Sequence, residues 1–533
     1  MYFAKIFSTG LVASIISFSV LAAEPSQPRP VSSHPTSAAN HRRVVVMVWD
    51  GMRPEFVTEQ NTPALCQLAR GGVTFARHHS VYLSATEVNG TALSTGAYPV
   101  HDGVMGNVEY RPETNPLKPV HTELPDVVRA GDKLTQSHYL SRATLAEIVR
   151  GAGGRTAVAG AKPVGLLADR ASRAADAEDF NVYAGATLPP ALLGTITSRH
   201  GPFPDSEGTT RTRNDWTTEA LIDPLWANGV PEFSLLWLNQ PDISQHQNGP
   251  GSPQALAGIR NADENLARVL KALEVKGVRD TTDIIVVSDH GCSTVSSRAD
   301  LAGALQKAGV NAVREFKAPP ARGEILVVSN SGSTMLYVIG HDQQVIRKLV
   351  DFLQGWHSTG VIFTRKAMPG TFPLKQVHLD ADSAPDVLVS MHWTSDRNTN
   401  GIPGMITSDL SGYYPGQGLH VSLSPYDMHN TLIAAGPDFR QGVTNTVASG
   451  NVDIAPTVLW VLGIKPPIAM DGRVLSEALT IKGPNVIAHK PRHLETAREQ
   501  NGSIWRQYLN LTEVNGVDYF DEGNGGVRVK PSN

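Results

Sequence analysis

Arg43-Val44-Val45-Val46-Met47-Val48-Trp49-Asp50-Gly51 decides how the rest of the chain is read. Its apolar residues run on without polar alternation, so the strand they predict is buried on both faces. That is the mark of a parallel sheet covered by helices. Phe233-Ser234-Leu235-Leu236-Trp237-Leu238-Asn239 and Asp283-Ile284-Ile285-Val286-Val287-Ser288 follow the same pattern. Between such runs stand helix signals. Asn61-Thr62-Pro63 opens a short helix closed by Gly71-Gly72, and Thr144-x-x-Glu147 is a capping box. Ser252-Pro253 starts an amphipathic helix carrying Leu256, Ile259, Leu266, Val269, Leu270 and Leu273. Arg155 to Gly160 adds a further strand. The fold expected is α/β, with a mostly parallel central sheet and helices on both faces.

Ligands of open α/β sheets bind beyond the C-terminal strand ends. Three apolar strands here end in acids or in Asp/His sets: Asp50, then Asp242 with His246, then Asp289 with His290. Zinc accepts carboxylate oxygen and imidazole nitrogen. The Asp-x-x-x-His spacing lets Asp242 and His246 converge if that segment turns helically. One such set alone is more often structural, as a turn cap, than metallic; three at the ends of buried strands point to a metal centre.

Phe75 to Leu83 reads as a strand leading into Ser84-Ala85-Thr86-Glu87-Val88-Asn89-Gly90-Thr91 and a small-residue helix ending at Thr95-Gly96. A hydroxyl at that turn sits at the positive end of a helix, where unpaired N–H groups attract anions.

The remaining chain sets the frame. Residues 1–23 resemble a cleavable secretory signal, with Lys5, an apolar run from Leu11 to Leu21 and small residues Ala22 and Ala23. The alternative for that segment is an uncleaved anchor. Residues 24–40 form a Pro-rich linker, 41–480 a catalytic domain, and 481–533 a polar C-terminal tail. Residues 108–140 lack periodicity and read as a surface insertion, 297–410 read as the remainder of the sheet plus loops inserted over the site, and 161–230 mix short elements. A helix opens at Asp453-Ile454-Ala455-Pro456-Thr457 and stops at Gly463. A net charge of -4 gives no reason to expect nucleic acid as a stable partner. Cys66 and Cys292 are too few for a disulfide framework or a thiolate zinc site, and their pairing stays open. Thr512-Glu513-Val514-Asn515-Gly516 repeats Thr86–Gly90 letter for letter, without an adjacent apolar strand.

With these residues in place, the chain resembles the type I phosphodiesterase/nucleotide pyrophosphatase branch of the alkaline phosphatase superfamily. The resemblance rests on Asp50, on Thr86 with Thr95-Gly96, and on Tyr98-Pro99 with Gly103. It rests also on Pro241-Asp242-x-x-x-His246, Ser288-Asp289-His290-Gly291, and His420 ahead of Gly436-Pro437. Val452–Thr457 with Asp471-Gly472 completes it. It implies an alkaline-phosphatase-like fold and two zinc ions, other divalent metals being alternatives. Asp242, His246 and His420 would hold one ion; Asp50, Asp289, His290 and Thr86 would hold the other. Thr86 would be the nucleophile, and Asn89 would donate a hydrogen bond to a phosphoryl oxygen. Two positions depart from the family: Gly90 stands where it usually has His, and Val421 follows His420 where it usually has Gly. His429, nine residues on, is the alternative to His420.

A Thr hydroxyl needs a base or a metal to act as a nucleophile. Paired ions about 3.5–4 Å apart suit an in-line displacement. The expected activity is hydrolysis of a small phosphodiester or nucleotide pyrophosphate through a phosphothreonine, in a periplasmic or secreted protein. The alternatives are a phosphonate or phosphomonoester hydrolase on the same scaffold and a catalytically inactive secreted binding protein. A sulfatase would carry Cys or Ser in a C/S-x-P-x-R context, which neither Cys66 nor Cys292 has. Asn89, Asn501 and Asn510 match the glycosylation pattern, but a glycan on Asn89 is incompatible with its assigned role. His78, His79 and His101 read as packing or surface residues.

Overall fold

The computed structural model describes residues 42–171, 179–205, 210–410, 412–481, 483–486, 489–500 and 502–529. The expected signal and linker lie outside them, as does Asn501. Among the described residues no helix is long and apolar enough to cross a membrane.

The central sheet and its helices are, in chain order, β1 (Arg43–Trp49), α1 (Pro63–Arg70), β2 (Val73–Phe75), α2 (Thr86–Thr95), β3 (Thr156–Gly160), β4 (Phe180–Tyr183) and β5 (Ala186–Leu188). There follow β6 (Phe233–Leu238), α3 (Asp242–Asn248), α4 (Pro253–Val275), β7 (Thr282–Val287), β8 (Leu432–Ala435), β9 (Val443–Asn445) and α5 (Ile454–Leu462). The strands lie in the order β9-β2-β8-β7-β1-β6-β3-β4-β5. From β7 through β1, β6 and β3 to β4 all pairings are parallel, whereas β8 runs antiparallel to β7. Val44, Val46 and Val48 pack on one face with α5 and the capping-box helix Leu145–Gly151; Val45, Met47 and Trp49 pack on the other with α1 and α4. The unbroken apolar run is thus explained by burial on both faces. In register, Val48 lies beside Trp237 and Val287, so Asp50, Asp242 and Asp289 leave one edge together.

Four segments differ from expectation. The strand expected over Phe75–Leu83 is broken: it stops at Phe75 and resumes only over His78–His79, which pair with Ser449–Gly450. Beyond them Ser80 N–H donates to Met428 O and Val81 N–H to the Asn89 side chain. Residues 108–140, expected without regular structure, contain a helix, Pro125–Thr135, that buries Val128 and seats Gly131 against Tyr139. Residues 297–410 do not extend the central sheet. They build a second, six-stranded sheet around the hairpin Ile325–Asn330/Ser333–Val338, and Trp393–Arg397 and Pro403–Asp409 join a four-stranded one. In the six-stranded sheet, Ile325–Asn330, Ser333–Val338 and Val387–Met391 pair antiparallel with one another and not with the strands of the central sheet.

The C-terminal segment is no polar tail. It is a three-stranded antiparallel sheet, β10 (Lys490–Gln500), β11 (Ser503–Val514) and β12 (Val517–Val529). Asn515 and Gly516 both take positive φ, 53° and 82°, the Asn-Gly hairpin turn. The second copy of the pentapeptide is therefore a strand end and its turn, whereas the first begins a helix. This sheet is bound into the catalytic domain: Tyr519 OH donates to Asp453 (2.8 Å), Tyr98 OH to Asp518 O (2.9 Å) and Trp505 Nε1 to Gly370 O (2.9 Å). Cys66 and Cys292 are both free thiols.

Candidate active site

Thr86 is the first residue of α2, preceded by Ala85 in extended conformation. Its Oγ1 lies 3.2 Å from His290 Nε2. β1 delivers Asp50, β7 delivers Asp289 and His290, and α3, directly after β6, presents Asp242 and His246 one turn apart. His420 follows a two-residue strand and lies ring-to-ring on His290, centroids 3.6 Å apart. The structure thus brings together Asp50, Thr86, Asp242, His246, Asp289, His290 and His420, all buried.

The imidazoles share one arrangement. Nδ1 of His246 faces Gly418 O, that of His290 faces Gly291 O, and that of His420 faces Ser84 O, each at 2.8 Å. A carbonyl can only accept, so Nδ1 carries the proton and Nε2 turns a lone pair inward, as metal-binding histidines do. Opposite them stand carboxylate oxygens. Asp242 Oδ1 is 3.0 Å from His246 Nε2 and 3.8 Å from His420 Nε2. Asp289 Oδ2 and Asp50 Oδ1 are 3.2 and 3.6 Å from His290 Nε2. These three oxygens are buried and accept no hydrogen bond. Lone pairs facing lone pairs at such separations fit divalent cations between them, since metal bonds of about 2.0–2.1 Å put tetrahedral ligands roughly 3.3 Å apart. Asp50, Asp289 and His290 form one group within reach of a single ion, and Asp242 and His420 belong to another that also touches His290.

Burial pushes the carboxyls of Asp50 and Asp289 up to about 7, Asp50 aided by the charge of Asp289. Burial works the same way on Asp242, but His246 and Lys162 outweigh it and hold that carboxyl well below its ordinary value. Asp242 in turn outweighs burial at His246 and raises that imidazole, favouring its protonated form while no ion lies between them. Burial keeps His290 and, with the neighbouring His290, His420 below the usual imidazole range, the neutral form a metal needs.

Lys162, like Asn107, is a site residue that sequence reasoning missed. It leaves the C-terminal end of β3, and its Nζ lies 2.8 Å from Asp50 Oδ2 and 2.6 Å from Asp242 Oδ2. The signal was available, since Arg155–Gly160 was already a strand and Lys162 stands two residues past it. Gly90 makes room for this loop: a Cβ there would lie 2.6 Å from Val164 Cγ2.

Asn89 does not reach the site. Its NH2 donates to Val81, Leu83 and Ala85 carbonyls, and its Oδ1 accepts from Val81 N–H and Asn451 Nδ2. At helix position four its amide is consumed in tying down the loop that carries Thr86, and it is buried beyond reach of a glycan. Asn107 lines the cavity instead, together with Thr86, Glu87, Glu123, Lys162 and Tyr413, in a space of about 580 Å³. Its Oδ1 accepts Glu87 N–H at 3.1 Å, which leaves its NH2 to offer a ligand. Val421 takes φ 76°, left-handed backbone at the position where Gly is usual. His429 lies elsewhere, beside His79 and Asp521. His78 is buried against Ser449 and Asn451, and the exposed His101 pairs with Asp471.

The family model for type I phosphodiesterase/nucleotide pyrophosphatase matches residues 44–396, which include the strand ends carrying Asp50, Asp242 and Asp289. The chain belongs to this family. Type I phosphodiesterases hydrolyse phosphodiester bonds with the help of metal ions, and this member is a hydrolase of that kind. Mouse bis(5'-adenosyl)-triphosphatase enpp4 is 22% identical over 81% of this chain and 80% of its own length. Human ectonucleotide pyrophosphatase/phosphodiesterase family member 7 is 22% identical over 82% and 83%. Murine ectonucleotide pyrophosphatase/phosphodiesterase 5, solved in an inactive form with AMP, superposes with a TM-score of 0.58 at 18% identity, over 82% of this chain and 100% of that one. The type I phosphodiesterase fold is thereby shared, including the alkaline-phosphatase-like sheet.

Proposed function

We propose that this phosphodiesterase cleaves small phosphodiesters or nucleotide pyrophosphates by double displacement through Thr86, in the periplasm or outside the cell. The observation that carries the reading is the Thr86 hydroxyl 3.2 Å from His290 Nε2, among three buried carboxylate oxygens without hydrogen bonds. Asp242, His246 and His420 would hold one divalent ion; Asp50, Asp289 and His290 the other, beside Thr86. Bound there, zinc would supply the positive charge that favours the alkoxide of a hydroxyl and the hydroxide of a water.

The chain's own residues do the rest. Asn107 NH2 and the first-turn N–H groups of α2 orient the phosphoryl oxygens. Thr86 Oγ bonds to phosphorus as the bond to the leaving alcohol's oxygen breaks, and the Thr86 proton leaves with the alcohol. Water then cleaves the phosphothreonine and restores the Thr86 hydroxyl. Named relatives act on dinucleoside triphosphates or carry nucleotide pyrophosphatase names, and a neighbour holds AMP; a nucleotide diester is the first substrate class to try.

Lys162 favours a second reading, a phosphomonoester or phosphonate hydrolase. Two divalent ions against Asp50, Asp242 and Asp289 leave one positive charge, which suits a diester monoanion. Lys162 makes two, which suits a terminal dianion. Burial, with the charge of Glu123, holds Glu87 well above the carboxylate range, and burial raises Glu123, which lines the same cavity, above its ordinary value too. Rates on a nitrophenyl nucleotide diester, a nitrophenyl phosphomonoester and a phosphonate ester decide between the readings. A higher kcat/KM on the diester supports the first, and a reversed order overturns it.

A further inference from the structure

We propose that His79, His429 and Asp521 bind one further divalent ion of the zinc class, apart from the catalytic cluster, and that this ion pins the C-terminal sheet to the catalytic domain. The three residues come from distant parts of the chain: the short strand His78–His79, the turn after helix Pro425–Met428, and β12. One ligand atom of each lies within 4.8 Å of the others. His79 Nε2 is 3.0 Å and His429 Nε2 3.6 Å from Asp521 Oδ1, bracketing the roughly 3.3 Å edge of a tetrahedral zinc site. His79 and His429 are also held together by a backbone bridge.

The orientation of His79 is that of the catalytic histidines. Its Nδ1 faces Ser449 O at 3.0 Å, so the proton sits on Nδ1 and Nε2 points a lone pair at a carboxylate oxygen. With a single proton on each ring, lone pairs face Asp521 Oδ1 in a partly buried gap, and one cation there satisfies both imidazoles and the carboxylate together. The sheet is shaped to bring the carboxylate there. Pairing of β11 with β12 runs Asn510↔Glu522 and then Leu511↔Phe520, which leaves Asp521 as the extra residue of a bulge, a device that re-aims side chains. Its other oxygen, Oδ2, accepts from Thr512 Oγ1 at 3.2 Å, which fixes the carboxylate plane. Arg77 Nη2 reaches the same Oδ1 at 3.2 Å but also donates to Thr512 Oγ1 at 2.8 Å, so it keeps a partner when an ion takes Oδ1. Thr512 belongs to the second pentapeptide copy, which thereby acquires a role.

The test is metal content of the purified full-length protein, stripped with chelator, reloaded with zinc and desalted, with thermal unfolding in parallel. The parent is expected to hold one more zinc per chain than either His429→Gln or Asp521→Asn, with kcat unchanged in both variants. Zinc should raise the parent's Tm further than that of either variant. Equal zinc content in parent and variants, at unchanged kcat, overturns the site. Because only the difference between proteins is read, the number of ions in the catalytic cluster does not enter. If one variant fails to fold, the difference in zinc content between the parent and the other variant, or His79→Gln, decides in the same way.

Discussion

Two clusters of His and Asp in this chain share a local grammar and differ in what surrounds them. In both, an imidazole Nδ1 is spent on a backbone carbonyl and Nε2 faces a carboxylate oxygen about 3 Å away. Around Thr86, the facing oxygens of Asp50, Asp242 and Asp289 accept nothing, a hydroxyl stands at 3.2 Å, and a cavity opens on one side. Around Asp521, Arg77 shares the carboxylate, the Thr512 hydroxyl is taken up between Asp521 Oδ2 and Arg77, and the ligands join two sheets. The difference teaches that His/Asp geometry alone specifies a cation. Chemistry requires a nucleophile at a helix N-terminus and room for a substrate beside it.

The largest break in that comparison comes from Thr86→Ala. It should lower kcat by about 10⁴ or more, as removal of a nucleophile does in other hydrolases, while zinc content stays at the parental value. Parental turnover by this variant would move the nucleophile elsewhere. Asp289→Ala should lose metal and activity together, because it removes an oxygen that only a cation can satisfy and frees the Gly51 and His290 N–H groups that Oδ1 holds at 3.0 Å. Full zinc content in that variant would show that Asp289 is not a ligand. Lys162→Ala ranks next. Loss of a charge-assisted contact of about 1.5–3 kcal/mol should cost a dianionic monoester roughly 10–100-fold in kcat/KM and a monoanionic diester much less. An equal loss on both would make Lys162 a holder of Asp50 and Asp242 without a part in substrate choice.

The sequence showed most of the first cluster because its ligands hang from strands buried on both faces, and such strands advertise themselves as unbroken apolar runs. Asp50, Asp289 and His290 are readable for that reason, and Asp242 with His246 by helical spacing. His420 and His429 were open alternatives because what separates them is long-range: one stacks on His290, the other meets His79 edge-on. Asn89 took its expected role from the family resemblance, which says nothing about which way the amide turns in this chain. The backbone carbonyls of Val81, Leu83 and Ala85 claim it, while Asn107, some twenty residues on, returns to the cavity through a loop. The C-terminal sheet was hidden by polarity. In β10 no residue is fully buried, so the strand gives no apolar run, and only Asn515-Gly516 carried the hairpin signal.

The smallest effect concerns a buried acid pair that needs no metal, at the opposite end of β7 from Asp289. Asp283 abuts Asp438, whose N–H donates to Asp283 Oδ1 at 3.1 Å, and Arg42 reaches Asp438 at 3.2 Å. No imidazole lone pairs converge here, so the pair keeps a proton instead of a cation. Burial, then the charge of Asp438, pushes the Asp283 carboxyl up to about 8. The native state therefore binds that proton more tightly than the unfolded chain, whose carboxyl titrates near 3.9. As pH rises from about 4 to 8, the unfolded state gains stability by ionising and the native state does not follow, so this acid costs stability across that window. Asp283→Asn keeps the acceptor for Asp438 N–H and removes the titration. It should leave Tm unchanged near pH 3.5, where the carboxyl is neutral in both states, and raise it by about 2 °C at pH 8. A Tm gain independent of pH would assign the effect to packing, and a loss at pH 8 would mean that Asp283 is ionised in the native protein.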